Sequence, residues 1–170
     1  MIGRPQQTEA ASYYFNYINQ APGDDPLELL TSQLDQLGSF LSTISDDRSL
    51  YRYATDKWSM RQVLNHVTDT ERAFAFRTLW FARGFSTALP GFDQEIAAAH
   101  ADAGRVSWAA HIEEFRQVRL STISLFRNLP PQAWMRTGIA SDNSFSVRAL
   151  AFIIVGHVAH HVTVLRERYS

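Results

Sequence analysis

The chain contains no cysteine. This absence excludes disulfide bonds, thiolate metal ligands and a cysteine nucleophile, so any metal site must use imidazole, carboxylate or water. An excess of charge of one sign is also missing, because 16 Lys and Arg residues stand against 17 Asp and Glu residues. Such a balance provides no general attraction to nucleic acid or to an anionic membrane, and we expect neither partner.

Long apolar runs are absent as well. The longest uninterrupted run, residues 149–155, has seven residues, whereas a helix needs roughly 20 to cross a bilayer. The first 24 residues include Arg4 and Glu9 and lack an apolar stretch of signal-peptide length. We therefore expect a cytoplasmic protein with no membrane span.

Four long helical patterns account for most of the chain. Hydrophobic residues make up 45% of its 170 residues, which suits a single globular domain over residues 1–170. Apolar residues recur three and four positions apart, the period of an amphipathic helix. The predicted helices run over residues 25–45, 59–84, 107–130 and 146–169, with a short helical stretch near residues 93–100.

Capping signals support these boundaries. Asp25 precedes Pro26 and Glu28 at the start of the first pattern, and Ser59 precedes Gln62 at the start of the second. Both arrangements are typical of capping boxes, in which side chains satisfy the free amides of the first helical turn. We therefore expect sharply defined starts for these two helices.

The helices predict an all-α four-helix bundle. Strand signals are few and no internal repeat is visible, so the apolar faces of the helices must bury one another. The longest connection carries Pro90 and Gly91. An up-down-up-down order can be broken at this connection, because a long segment allows a crossover.

Three histidines form a candidate metal site. His157 and His161 are four residues apart, about 40° around the helix, and both fall on the apolar face of the fourth helix. Zinc proteases use this spacing with a Glu directly after the first histidine, but Val158 occupies that position here. His66, on the inward face of the second helix, is the natural third ligand. Gly156 would allow another backbone to approach this site closely.

A three-imidazole site with an open position is of the catalytic type and suits zinc, nickel, iron or copper. Alternatives remain open, since a histidine on an apolar face is often a hydrogen-bonded core residue. His160 lies about 100° around the helix from His161 and about 60° from His157, and it could replace His161 or lie at the surface. His100 and His111 are expected at the surface or its boundary.

Two polar residues near His66 are candidate catalytic groups. Asp69 could orient a ligand imidazole or act as a base, or could be a solvated surface acid. Arg77 could hold an anionic substrate group, or could pair with a buried acid such as Glu71 or Glu114.

The chain resembles the DinB-like family of metal-binding four-helix bundles. The similarity extends over nearly the whole chain, and its most specific elements are one early and two late histidines. The matching segments are residues 13–18 (YYFNYI), 58–59 (WS), 65–72 (NHVTDTER), 74–77 (FAFR), 89–93 (LPGFD) and 156–161 (GHVAHH). The resemblance assigns the family's metal ligands to His66, His157 and His161.

The resemblance also implies a fold, cofactors and activities. Its fold is a bundle with one long crossover, here preceded by an extension over residues 1–24 that packs on the bundle. The metal would be zinc or nickel, and a homodimer is expected. Known activities in the family include low-molecular-weight thiol S-transferases and a thiol-dependent maleylpyruvate isomerase. Many members are described only as metal-dependent hydrolases, and the family name records induction by DNA damage rather than a mechanism.

These expectations lead to one main hypothesis and two alternatives. The first is an S-transferase that uses bacillithiol, mycothiol or glutathione on a small-molecule substrate, with Arg77 as an anchor. The second is a hydrolase with Asp69 as base. The third is a metal-stabilised binding protein in a stress response, without catalysis.

Overall fold

A computed structural model describes residues 2–169 of the chain. Helices dominate, and the described residues contain one two-stranded sheet. The elements are α1 (Phe15–Ile18), α2 (Pro26–Leu41), α3 (Met60–Ala82), α4 (Gln94–His100), α5 (Trp108–Arg127), β1 (Thr137–Ala140), β2 (Asn143–Ser146) and α6 (Val147–Arg168). The four long helices α2, α3, α5 and α6 correspond to the four predicted helices.

Side-chain caps begin the first two of these helices. The Asp25 carboxylate accepts hydrogen bonds from the backbone amides of Leu27 and Glu28 at the start of α2. Ser59 and Gln62 form the reciprocal capping box at the start of α3. Each cap satisfies amides that the helix itself leaves free. These local bonds explain why the predicted starts match the observed ones.

The four long helices form a bundle with one long crossover, as predicted. α3 packs against α5 and α6, and α2 packs against the same two helices, so α2 and α3 lie diagonally across the bundle. α3 and α5 run parallel, since Arg61 bonds to Val106 near their starts and Glu71 bonds to Arg119 farther along both. Parallel neighbours need a crossover connection, and residues 83–107, which include α4, provide it.

The last helix, α6, is the centre of the bundle. Its first half is almost continuously buried, and among the described residues it alone has the length and hydropathy of a membrane-spanning helix. However, 61% of that apolar window is buried inside the protein, as in the core helix of a globular domain. The apolar run therefore serves to fill the bundle, and it positions His157 and His161 against α3.

A β-hairpin with two strands of four residues precedes α6, and the sequence analysis did not predict it. β1 pairs antiparallel with β2, with Ala140 opposite Asn143. Ser141 and Asp142 form the two-residue turn with φ of 50° and 59°. A turn with both central residues at positive φ usually contains Asn-Gly. Ser-Asp is not the usual pair for this turn, and each strand has only four residues, so the hairpin was only weakly indicated by the sequence.

The N-terminal segment lies against α6. Arg4 donates hydrogen bonds to the carbonyls of Ile18, Ala21 and Gly23, which closes this segment on itself. Glu9 forms an ion pair with Arg148 in the first turn of α6. The Tyr17 ring of α1 lies against the rings of His157 and His160, so α1 lies beside the half of α6 that carries the histidines.

Candidate metal centre

Three histidine side chains from two helices converge at the centre of the bundle. The Nε2 atom of His157 lies 3.1 Å from Nε2 of His66 and 3.2 Å from Nε2 of His161. Each residue offers one ligand nitrogen, and the three nitrogens lie within 4.8 Å of one another. His66 and His157 are buried and His161 is partly buried. The structure thus brings together the three ligands predicted from the sequence.

The spacing of these nitrogens fits one transition-metal ion. Two nitrogens that each lie about 2.0–2.1 Å from a tetrahedral ion are separated by about 3.3 Å. The separations on either side of the His157 nitrogen are within 0.2 Å of that value. The third separation, between His66 and His161, is at most 4.8 Å, so these two rings would have to approach each other by up to about 1.5 Å for all three nitrogens to bind one ion. Three protein ligands leave a fourth position for a reactant.

Burial keeps the three imidazoles neutral, which is the form that binds a metal. It lowers the pKa of His66 from 6.5 to about 4. Burial, reinforced by His66 and His160, lowers the pKa of His161 to about 3. The pKa of His157 is held well below 6.5 by burial and by the neighbouring histidines. At neutral pH no proton has to leave before an ion binds.

Two pockets reach the three histidines from different sides. The first, of about 120 Å³, is lined by His66 and His157 together with Arg77. The second, of about 320 Å³, is lined by His161 and His160 together with Trp58. Gln94 from α4 contributes to both pockets. A ligand in either pocket would therefore lie beside at least one of the three histidines.

Comparison with known proteins agrees with this fold and site. A sequence model of the DinB superfamily matches residues 29–165. The chain belongs to the DinB superfamily. The fold is also similar to YfiT from Bacillus subtilis, which is described as "a probable metal-dependent hydrolase with an unusual four-helix bundle topology". That similarity has a TM-score of 0.67 and 16% sequence identity and covers 95% of this chain and 91% of YfiT. No curated protein sequence matches the chain significantly.

Neighbouring side chains fix the rings of this DinB site. The Thr70 hydroxyl lies 3.3 Å from Nδ1 of His66. A proton on Nδ1 would be donated to this hydroxyl, which leaves Nε2 free to bind an ion. The Trp58 ring lies 5.0 Å from the His66 ring, and the Tyr17 ring lies 5.4 Å from the His157 ring. These aromatic walls limit the access of water to the imidazoles.

The remaining histidines lie outside the ligand group. His160 is partly buried with its ring against Tyr17. His100 is exposed on α4, as expected. His111 is buried, so its expected place at the surface or boundary was wrong, and its Nε2 lies 2.9 Å from the Ala103 carbonyl oxygen. His111 thus connects α5 to the crossover segment.

Asp69 is not placed beside the imidazoles. Its carboxylate accepts a hydrogen bond from Arg72 at 3.0 Å, and Arg72 also bonds to Glu114 on α5. Three residues along a helix turn a side chain by about 60° away from the starting face, whereas four residues nearly restore it. Thr70 therefore occupies the position beside His66 that the sequence analysis gave to Asp69.

Arg77 lines the first pocket, and its expected acidic partners are elsewhere. Glu71 is bound by Arg119 at 2.8 Å, and Glu114 by Arg72 at 2.8 Å. Arg77 instead donates from Nη2 to the Ser141 hydroxyl at 2.9 Å. The expectation that a buried acid pairs with Arg77 was therefore wrong. Burial lowers the pKa of Arg77, but a guanidinium remains charged at neutral pH.

Several residues of the site were missed by the sequence analysis. Thr70 was detectable, because it lies one helical turn after His66 on the same face. Tyr17 and Ser141 were not, since one belongs to the N-terminal segment and the other to the hairpin turn, both far from α3 along the chain. Only the tertiary fold brings them to the pocket.

Proposed function

We propose that this protein is a metal-dependent enzyme that transfers a low-molecular-weight thiol to a small electrophile. Bacillithiol, mycothiol and glutathione are the candidate thiols. The chain contains no cysteine, so the reacting sulfur has to come from a second molecule. Membership of the DinB superfamily and the three convergent histidines support a metal-dependent activity.

The observation that favours transfer is the pair of pockets that flank the histidines. A transfer between two molecules needs two binding places beside one reacting centre, and the pockets on the His66 and His161 sides offer them. Hydrolysis needs only one such place, because its second reactant is water. Gln94 lines both pockets and could contact both reactants.

Each residue of the site has a defined task in this proposal. Neutral His66, His157 and His161 would hold the ion, and Thr70 would orient His66. Bound there, a divalent ion supplies Lewis acidity, which lowers the pKa of a thiol or of a water. In the transfer, a sulfur–carbon bond forms and the thiol proton leaves to solvent. With a halogenated acceptor the carbon–halogen bond breaks and halide is released, and with an epoxide a carbon–oxygen bond breaks and the ring oxygen takes up a proton from solvent. The aromatic walls would keep competing water away.

The test is a conjugation assay with metal-loaded protein. Bacillithiol, mycothiol and glutathione are each combined with a halogenated or epoxide acceptor, and the conjugate is measured by mass spectrometry. A free thiol has a pKa near 8.5, so only a few per cent is thiolate at pH 7. Removing that limit alone predicts an acceleration of roughly tenfold or more over the uncatalysed reaction.

Two variants control the assay. The His161→Ala protein should lose the acceleration, because it lacks a metal ligand. His100→Ala changes an exposed histidine outside the site and should keep it. Acceleration that survives in His161→Ala would contradict the proposal, as would the absence of any conjugate with all three thiols.

A metal-dependent hydrolase is the second candidate. Asp56 and Glu95 line the pocket on the His161 side and could accept a proton from water. YfiT, which has a similar fold, is described as a probable metal-dependent hydrolase, and this description also favours hydrolysis. Metal-dependent cleavage of esters or amides without thiol consumption would favour this candidate.

If neither thiol transfer nor hydrolysis occurs, a metal-stabilised binding protein is the remaining function. The homodimer and the cytoplasmic location remain predictions.

A further inference from the structure

Arg77 is a buried cation without an acidic partner among residues 2–169. Its exposed fraction is 6%, its Nη2 donates a hydrogen bond to the Ser141 hydroxyl, and its other polar neighbour is the uncharged Tyr14 side chain. Its guanidinium also lies 5.2 Å from the centre of the Phe74 ring. A guanidinium has five N–H donors, so most of its hydrogen-bonding capacity is unused.

The other two buried arginines show what a satisfied guanidinium looks like in this fold. Arg119 donates to both carboxylate oxygens of Glu71 and to Gln33. Arg61 pairs with Asp46 and also donates to backbone carbonyls. A buried charge without a partner is costly. The position of Arg77 in a pocket is therefore explained best by an anionic partner that binds from outside.

The pocket around Arg77 is suited to an anion. Arg77 is the one residue with a formal charge in its lining, and neither Asp nor Glu contributes to it. Hydroxyl and amide groups add hydrogen-bond donors, and they come from Tyr13, Tyr14, Tyr17, Thr70, Ser141 and Gln94. The volume of about 120 Å³ admits a small group rather than a large one.

The same pocket continues to the metal ligands. His66 and His157 line it together with Arg77. The Cα atoms of His66 and Arg77 are about 16 Å apart along the axis of α3. Long helical side chains lean toward the N-terminus of their helix, so the Arg77 side chain leans back toward His66. A molecule bound to Arg77 would therefore extend toward the imidazoles.

We infer that Arg77 forms a carboxylate-binding subsite, which holds the acidic end of a reactant while its other end reaches the three histidines. This inference rests on the proposed function, since it takes the histidine site as the reacting centre. The carboxylate can belong to the electrophile or to the thiol, as both classes include acidic molecules. Planar guanidinium and carboxylate groups form paired hydrogen bonds.

The first experiment measures binding to metal-free protein, so that it does not depend on catalysis. Carboxylates from acetate to hexanoate and their neutral amides are titrated by ligand-detected NMR. We expect a preference for the carboxylates that falls about tenfold to a hundredfold in Arg77→Gln. Arg77→Lys should keep part of the preference, and Arg127→Gln, which removes an exposed charge, should keep all of it.

A purely structural role for Arg77 predicts a different result. In that case Arg77→Gln would lower the melting temperature and weaken carboxylates and amides equally. Arg77→Lys keeps the positive charge, so it should bind carboxylates more tightly than the corresponding amides. If Arg77→Gln does not fold, the carboxylate and amide affinities of Arg77→Lys still decide the question. Equal affinity of the wild-type protein for carboxylates and amides would overturn the inference.

The second experiment identifies which reactant carries the acid. Metal-loaded protein is given 6-bromohexanoate or its amide as acceptor, and glutathione or its diethyl ester as thiol. If the wild-type protein reacts faster with the acidic form of one reactant than with its neutral form, and Arg77→Gln does not, that reactant carries the carboxylate that Arg77 binds. Conjugation with no dependence on Arg77 would overturn the subsite and leave the proposed function standing. Carboxylate binding that depends on Arg77, without any conjugation, would support the subsite and contradict the proposed thiol transfer.

Discussion

His157 occupies the middle of the three-histidine site, because its Nε2 is the atom that lies close to both other ligand nitrogens. We predict that His157→Ala and His161→Ala abolish tight metal binding, since the two remaining imidazoles cannot enclose an ion. Metal content after dialysis, measured by mass spectrometry, should fall from about one ion per chain to near zero.

The control for this prediction is His100→Ala, which changes an exposed histidine on α4. It should keep the metal at the wild-type level. A His66→Ala, His161→Ala double variant that still holds one ion per chain would show that the assigned ligands are wrong.

The same histidines should make the metal-free protein sensitive to acid. Their folded-state pKa values, about 4 for His66 and about 3 for His161, lie below the unfolded value of 6.5. Between pH 6.5 and 4 the unfolded chain therefore binds more protons than the folded one. The free energy of unfolding is then fully retained above pH 6.5 and decreases as the pH falls toward 4, by on the order of 3 kcal/mol for His66 alone.

Urea unfolding with a chelator at pH 7.5 and pH 4.5 measures this effect. The double variant His66→Gln, His161→Gln lacks two of the groups that take up protons on unfolding, so its stability should change less between the two pH values. An identical change in the variant and the wild-type protein would contradict the assigned cause.

At the scale of elements, Gly156 controls how closely α1 approaches α6. A Cβ atom at this position would overlap the backbone carbonyl of Tyr17. We predict that Gly156→Ala displaces the N-terminal segment, destabilises the protein by about 1–3 kcal/mol and moves Tyr17 away from His157. Urea unfolding measures the first effect, and faster proteolysis of the N-terminal segment measures the second.

Gly38→Ala is the matched control, since Gly38 also lies in a helix and a Cβ atom there would have no neighbour within 4 Å. It should stabilise the protein slightly, because alanine has the higher helix propensity by about 0.5–1 kcal/mol. If both substitutions have the same effect, the contact with Tyr17 does not determine the packing of α1.

Some elements of the fold could be predicted from the sequence, and others could not. The four long helices were predictable because caps such as Ser59 and the spacing of apolar residues are local signals. The ligands were predictable because His157 and His161 share a helical face.

The hairpin turn at Ser141 and the position of α1 could not be predicted from the sequence, since weak turn chemistry and long-range contacts determine them. The pairing of Glu71 with Arg119 rather than Arg77 likewise depends on how α5 packs on α3.

At the scale of the whole molecule, the core does not depend on the metal site. One group of buried residues surrounds the first half of α6 and includes Phe81, Phe126 and Phe152. A second group joins the other ends of the long helices and includes Trp108 and Phe115. In addition, Arg119 links α2, α3 and α5 through Glu71 and Gln33. These contacts hold the bundle together around the histidines.

We therefore predict that a bound metal stabilises the fold without being required for it. Zinc fingers unfold without metal because they lack such a core, whereas here the helices bury one another. Binding at a free metal concentration a hundredfold above the dissociation constant adds about 2.7 kcal/mol to the free energy of unfolding.

Far-ultraviolet circular dichroism at room temperature should show the same helical signal with and without chelator, while the melting temperature falls on chelation. His157→Ala should melt at one temperature under both conditions, since it no longer binds the ion. Loss of the helical signal on chelation at room temperature would mean that the apolar core alone cannot hold the four helices together.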